Sequence, residues 1–281
     1  MQFNEKNLVN LDQITQFLAE DVGSGDLTSS IIPEHVLASA SVITRDQMVF
    51  CGQAWFSQIF AVLDSTITID WHVSDGEEVE AGHKLCDLQG PARPLLTGER
   101  VALNITQTLS ATATISRKYA DAIQGCKTKI LDTRKTLPGL RNAQKYAVRC
   151  GGCVNHRFGL YDGILIKENH VTAAGSIVNA VKLAKLSSRT MPVEVEVESI
   201  NELIQANEAD ADRVLLDNFS LDMMREAVLV NLGKAELEAS GNISLDNLRE
   251  IAETGVDFIS VGALTKNITA IDLSMRVRFL N

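Results

Sequence analysis

Residues 192–218 read PVEVEVESINELIQANEADADRVLLDN, and this stretch decides the fold. Alternating Val and Glu over PVEVEVE suits a strand, the following INELIQAN has the spacing of a helix, and RVLLD is a second short apolar strand. A strand, a helix and a strand in so few residues make one βα unit of a parallel sheet. Working outward, the same unit recurs from Lys129 onward. Strands are expected at KILDT, GILIK, PVEVEVE, RVLLD, AELEAS and VDFISVG, with helices at 141–150, 176–186, 201–207, 221–232 and 245–253. Six such units predict an incomplete, open βα barrel, short of the eight strands of a complete one.

The polar residues fall at the C-terminal strand ends, where a βα barrel opens its mouth to ligands. In order these are Arg134 with Lys135, Lys167, Glu196 with Glu198, Asp217 with Asn218, Ser240 with Gly241, and Gly262. Cations on early strands, carboxylates on middle strands and Gly/Ser turns on late ones predict a ligand with a phosphate at one end and carboxylates at the other. The late turns ASGNIS and SVGALT each precede a helix and would offer backbone N–H groups to phosphate. Glu196 and Asp217 suit ribose hydroxyls or Mg²⁺ held through water. Arg134, His156 and Arg157 suit acceptor carboxylates, and Lys135 and Lys167 suit a departing pyrophosphate.

Charge supports a small polyanionic ligand. The chain has 281 residues and a formal net charge of −10, yet between Cys126 and His170 nine Lys and Arg face only Asp132, Asp162 and Glu168. The overall negative charge argues against a nucleic-acid partner. The uncharged run Val101 to Ser116 is too short and too polar to span a bilayer, and MQFNEKNLVNLDQ lacks the pattern of a signal peptide. A cytoplasmic location is the expectation. Five cysteines at irregular spacing do not make a secreted disulfide framework.

The first part of the chain reads differently. Leu11 to Val22 has helical spacing, Ala38 to Phe50 suits a strand, Gln53 to Leu63 a short helix, and STITIDWHV a half-buried strand. SDGEEVEAGHKLCDLQG, with its glycine turns, suggests a hairpin or a small sandwich. One long helix is expected from Thr97 or Gly98 to Gly125.

Several local motifs, taken together and in order, resemble the quinolinate phosphoribosyltransferases. They are EDVGSGDLT at 20–28, GERVALN at 98–104, DTRKTLPGLR at 132–141, KYAVRCGG at 145–152, NHRFGLYDGILIKENH at 155–170, EVEVE at 194–198, LLDN at 215–218, EASGNI at 238–243 and VGALTK at 261–266. The resemblance implies transfer of phosphoribosyl from phosphoribosyl pyrophosphate to quinolinate with Mg²⁺. The products would be nicotinate mononucleotide, pyrophosphate and CO2, in NAD biosynthesis. Together with the strand and helix pattern it implies an N-terminal α/β sandwich domain over 1–110, which 268–281 could rejoin, and the incomplete barrel over 111–267. It implies a homodimer whose sandwich domain covers the partner's barrel mouth. Carried over by position, Arg134, His156, Arg157 and Lys167 surround quinolinate, with Arg100 arriving from the other subunit. Lys135, Glu196 and Asp217 serve the phosphoribosyl pyrophosphate and its metal, and Ser240, Gly241 and Gly262 hold the 5′-phosphate. Leu137, Cys153, Ala111 and Lys266 depart from the family's usual residues; Lys266, where His is common, can still meet a phosphate.

Other readings compete. Cys150 and Cys153 form C-x-x-C with His156 close behind, the spacing of half a zinc site or a redox pair. Lys167 at a strand end could form the Schiff base of an aldolase. Lys84 near a glycine turn resembles a biotin or lipoate carrier only loosely. A nicotinate-specific transferase needs to grip one carboxylate, where these cations suit two.

Overall fold

The computed structural model describes residues 8–280; the first seven residues of the expected N-terminal domain, and Asn281 of the segment expected to rejoin it, lie outside the described residues. The described residues divide into two compact units, one holding those up to Arg117, Asn142–Gly152 and those from Ile268, the other Lys118–Arg141 and Cys153–Asn267.

In the first unit, α1 (Leu11–Val22) is capped by Asn10, whose side chain accepts from Asp12 N. Strand β1 (Leu37–Thr44) follows, then β2 (Met48–Val49), α2 (Gln53–Leu63), β3 (Thr68–Trp71), β4 (Glu78–Val79), β5 (Lys84–Pro91) and α3 (Ala92–Ala122). β1 alternates buried and half-exposed residues, as a strand with one face on a core should. It pairs antiparallel with β5 on one side and with the C-terminal strand Leu273–Leu280 on the other, giving a four-stranded sheet completed by β3. Trp55, Phe56, Ile59 and Phe60 of α2 are buried, and Trp71 packs edge-on against Phe56 at 5.2 Å.

Two expectations for this unit change. The expected hairpin does not form: β4 pairs with β2, and β5 joins the main sheet. Lys84 lies in β5 and pairs with Asp87 at 2.7 Å, which removes the carrier reading. The long helix begins at Ala92 rather than at Thr97, because Pro94 falls in its first turn, where a missing N–H costs nothing. Its many hydroxyls are accommodated without penalty: buried Thr106, Thr112 and Ser116 and half-buried Thr114 each donate to the carbonyl four residues earlier.

The second unit contains β6 (Lys129–Leu131), then α4 (Arg141–Cys150), of which Arg141 alone counts with this unit, and β7 (Ile164–Ile166). There follow α5 (Glu168–Ala174), α6 (Ile177–Ser187), β8 (Val193–Val197), α7 (Ile200–Glu208), β9 (Arg213–Asp217), α8 (Leu221–Asn231), β10 (Glu236–Ser240), α9 (Leu248–Ala252), β11 (Phe258–Ser260) and α10 (Ala263–Lys266). All six expected strands are present and every pairing between them is parallel. Their order is β6-β11-β10-β9-β8-β7, and a single parallel bridge joins Leu131 of β6 to Val154. Among the described residues no strand joins β7 back to Val154, so the barrel stays open. α5 was not expected; it is a seven-residue helix starting directly after Lys167, with His170 Nδ1 accepting from Lys167 N at 3.0 Å. No helix among the described residues is long and apolar enough to cross a membrane.

Candidate active site

At the mouth of the open barrel three strand ends bring opposite charges together. Lys167, at the end of β7, donates from Nζ to Glu196 on β8. Asp217 ends β9; burial and then the negative charge of Glu196 raise its carboxyl above the usual range, while Lys167 and a hydrogen bond from Asn218 Nδ2 at 2.9 Å pull it back. Asn218 takes φ +55°, a conformation Asn tolerates, and its N–H donates to Ser240 O at 3.0 Å. That fixes the next turn. Gly241 has φ +99°, and a Cβ there would lie 2.2 Å from Asn218 Oδ1, so only glycine fits.

A second corner gathers around Gly262 after β11. A Cβ at Gly262 would meet Lys135 Cδ at 3.2 Å, Thr133 Oγ1 at 3.6 Å and Lys266 Cε at 3.9 Å. Thr265 Oγ1 donates to Lys135 O at 2.8 Å and Lys135 N donates to Thr133 Oγ1 at 3.1 Å, which holds the β6 loop against this corner. Two lysines, a threonine hydroxyl and a bare glycine make a cradle for an anion. The expected helix dipoles add little, because α9 and α10 have five and four residues.

The third group comes from the loops after β6 and before β7. Arg134 is exposed, and Arg157 is half-buried with Nη1 donating to Gly163 O at 2.9 Å. Burial and then the charge of Arg134 depress the Arg157 guanidinium below its ordinary value, so the two cations lie near enough to repel. Arg141 braces the pair by donating to Phe158 O at 3.1 Å and Arg134 O at 3.4 Å. Two guanidiniums held in mutual repulsion suit a ligand with two carboxylates.

His156 lies deeper than its neighbours. Its Nε2 is 2.9 Å from Glu194 Oε2 and 3.5 Å from Glu238 Oε2, and its Nδ1 faces Arg157 N at 2.7 Å. Both ring nitrogens are therefore engaged within the protein. Arg213 extends the cluster, 3.4 Å from Glu238 and 2.7 Å from Glu236, and stacks over the Phe258 ring at 4.1 Å. Glu194 Oε1 and Glu238 Oε1 are buried without a hydrogen-bond partner. Burial works against protonation of His156, but its contacts with Glu194 and Glu238 outweigh it and raise the imidazole to about 9. The Arg157 N–H beside Nδ1 favours a bare nitrogen there. Against it stand two carboxylates at Nε2, whose combined charge holds the proton on the ring. Glu194, Arg213 and Glu238 escaped the sequence reading, although Glu194 stands two residues before Glu196 on one strand and so shares its face.

Of the other expected residues, Ser240 is half-buried at the end of β10 and Lys266 is exposed at the end of α10. Arg100 is exposed on α3 and belongs to the first unit. Among the described residues two clusters could each present three ligand atoms to a metal ion: His156 with Glu194 and Glu238, and Cys51 with Asp75 and Cys150.

The chain matches the signature of the quinolinate phosphoribosyl transferase N-terminal domain over residues 26–110 and that of its C-terminal domain over residues 112–276. It is 42% identical over 269 residues to the probable nicotinate-nucleotide pyrophosphorylase [carboxylating] of Bacillus subtilis, covering 95% of this chain and 93% of that protein. It is 40% identical to the nicotinate-nucleotide pyrophosphorylase [carboxylating] of Mycobacterium leprae, covering 94% and 95%. The solved nicotinate-nucleotide pyrophosphorylase of Francisella tularensis superposes with a TM-score of 0.93 at 48% identity, covering 99% of this chain and all of that one.

Proposed function

This chain belongs to the quinolinate phosphoribosyltransferase family and is a carboxylating nicotinate-nucleotide pyrophosphorylase of de novo NAD biosynthesis, and we propose that its open-barrel mouth performs the transfer with the residues described above. The observation that carries this assignment is the grouping of Lys167, Glu196 and Asp217 on adjacent strand ends, with a lysine-lined cradle at Gly262. Arg134 and Arg157 bind the two carboxylates of quinolinate and hold its ring nitrogen toward the anomeric carbon of phosphoribosyl pyrophosphate. Lys135 and Lys266, flanking Gly262, together with Ser240 and Gly241, receive phosphate.

Attack by the ring nitrogen expels pyrophosphate as positive charge builds on the ribose. Glu196 and Asp217 offset that charge, so positioning and electrostatics supply the rate. Lys167, freed from Glu196 by the incoming anions, neutralises developing negative charge. The adjacent carboxylate then departs as CO2, leaving its bond electron pair on the ring carbon as a carbanion that the neighbouring pyridinium charge stabilises, and that pair takes up a proton. The Glu196–Asp217 pair fits Mg²⁺: two carboxylates already in mutual repulsion are eased by a divalent cation, which takes few protein oxygens and completes its shell with water and phosphate. When bound, Mg²⁺ supplies charge neutralisation to the diphosphate. The working form is a cytoplasmic homodimer in which the partner's Arg100 adds a third guanidinium to the quinolinate pocket.

The test uses purified protein with phosphoribosyl pyrophosphate and either quinolinate or nicotinate. CO2 and pyrophosphate in equal amounts are expected from quinolinate, lost in Asp217→Asn and on chelation of Mg²⁺. Mixing Arg100→Ala with Lys167→Ala chains tests the shared site: exchanged dimers contain one intact site and regain activity. If exchange is demonstrated without recovery, Arg100 acts within its own subunit.

A further inference from the structure

Cys150 opens a C-x-x-C motif in the sequence, but its spatial partner is Cys51, far upstream. The two Sγ atoms and a carboxylate oxygen of Asp75 all lie within 4.8 Å of one another, and the thiols hydrogen-bond to each other. Both backbones are pinned. Cys51, fully buried between β2 and α2, donates its N–H to Ser110 Oγ at 3.0 Å, and Ser110 Oγ donates back to Cys51 O at 3.1 Å. Cys150 is the last residue of α4; its carbonyl accepts from Arg117 Nη2 at 3.4 Å and packs against Gly76, where a Cβ would come within 3.3 Å of it.

The cluster is poorly suited to a metal. Asp75 already accepts the N–H groups of Gly52 at 2.9 Å and Gln53 at 3.1 Å on Oδ1, and the Tyr146 hydroxyl at 2.9 Å on Oδ2. A cation using that carboxylate would disturb the start of α2, and a structural zinc site wants four ligands where three are gathered. Two thiols need neither.

We propose that Cys51 and Cys150 are a reversible disulfide site oxidised by peroxides, separate from the barrel chemistry. The partners differ in access and acidity, which sets the order of events. Cys150 is partly exposed, and the hydrogen bond from Cys51 outweighs burial to draw its thiol below the ordinary range; burial pushes Cys51 well above. Cys150 sulfur attacks the peroxide, so an S–O bond forms, the O–O bond breaks and one water leaves, giving a sulfenic acid. Cys51 sulfur then attacks the Cys150 sulfur. The S–S bond forms, the S–O bond breaks, and the departing hydroxide takes the Cys51 proton to leave as water. Two electrons pass from the thiol pair to the peroxide, and a small dithiol reverses the change by exchange.

The experiment treats the reduced full-length protein with hydrogen peroxide, blocks remaining thiols by alkylation and maps the peptides by mass spectrometry. A peptide pair linking Cys51 to Cys150 is expected, lost with dithiothreitol and absent in Cys150→Ser. In Cys51→Ala the Cys150 sulfenic acid should persist and be captured by a dimedone-type reagent. If that variant does not fold, the wild-type map and Cys150→Ser decide. A link from Cys150 to Cys126 or Cys153, or Cys150 sulfinic acid beside unmodified Cys51, overturns the proposal. Stoichiometric zinc in the isolated protein that shields both thiols from alkylation overturns it in favour of a metal site.

Discussion

Glu194 and Glu196 stand two residues apart on β8 and face the same side of the sheet, yet they live in different electrostatic worlds. Glu196, 14% exposed, is bonded at the rim to a Lys167 side chain that is 47% exposed. Glu194 is one step deeper, 8% exposed, and shares His156 with Glu238, itself 1% exposed. At the rim a charge pair is screened by water and can open for a ligand at little cost. One step down, a charge without its partner has no water to turn to. The same residue type thus serves exchangeable binding above and fixed architecture below, and the exposure of the partner separates the roles more than that of the glutamates themselves.

The largest effect should follow from breaking the deep layer. Glu238→Ala leaves Arg213 and His156 short of a counter-charge in the barrel interior and is expected to cost ~3–5 kcal/mol of folding stability. Urea unfolding measures it; a variant with the wild-type midpoint would mean that the deep cluster is not structural. The rim should behave in the opposite way. Lys167→Ala is expected to lower kcat/KM by ~10²–10³, or ~2.7–4 kcal/mol of transition-state stabilisation. Its folding stability should change by no more than ~1 kcal/mol, because the lysine end of the pair is half in water, which can replace it on Glu196. Pyrophosphate release and urea midpoints on the same sample sharpen the contrast, and a large loss of stability at Lys167 would erase it.

The rim was readable in the sequence and the deep layer was not, for a physical reason. Strand ends of βα units are local features, so Lys167, Glu196, Asp217 and Gly262 could be placed at one mouth from pattern alone. The partners of a buried charge depend on which strands become neighbours. β8 and β10 are separated in the sheet by β9, and nothing near Glu194 in the chain points to Glu238 or to His156. His156 therefore reads as a ligand contact from its cationic neighbours, while the structure engages its ring with carboxylates. The same limit hid the pairing of β4 with β2 and the meeting of Cys51 with Cys150. The early start of α3 was missed for a different reason: Pro94 looks like a breaker unless it falls in the first turn.

The smallest of the three effects is a pH dependence that only the deep layer should show. Burial opposes the His156 charge, but Glu194 and Glu238 hold its pKa up at about 9, against about 6.5 in an unfolded chain. Between these values the folded protein carries a proton that the unfolded chain has lost, so stability must fall as pH rises. The contribution is complete below about pH 6.5 and gone above about pH 9, and its size is up to ~3 kcal/mol. Glu194, raised by burial, acts in the same direction, because any proton it keeps in the folded protein is one the unfolded chain has already released. Urea unfolding at steps across this window should show the decline in wild-type protein and in Lys167→Ala alike. His156→Asn should flatten it, since an amide keeps polar contact but does not titrate. A slope that survives His156→Asn would move the titrating group elsewhere, and a slope that vanishes with Lys167→Ala would join the two layers that depth otherwise separates.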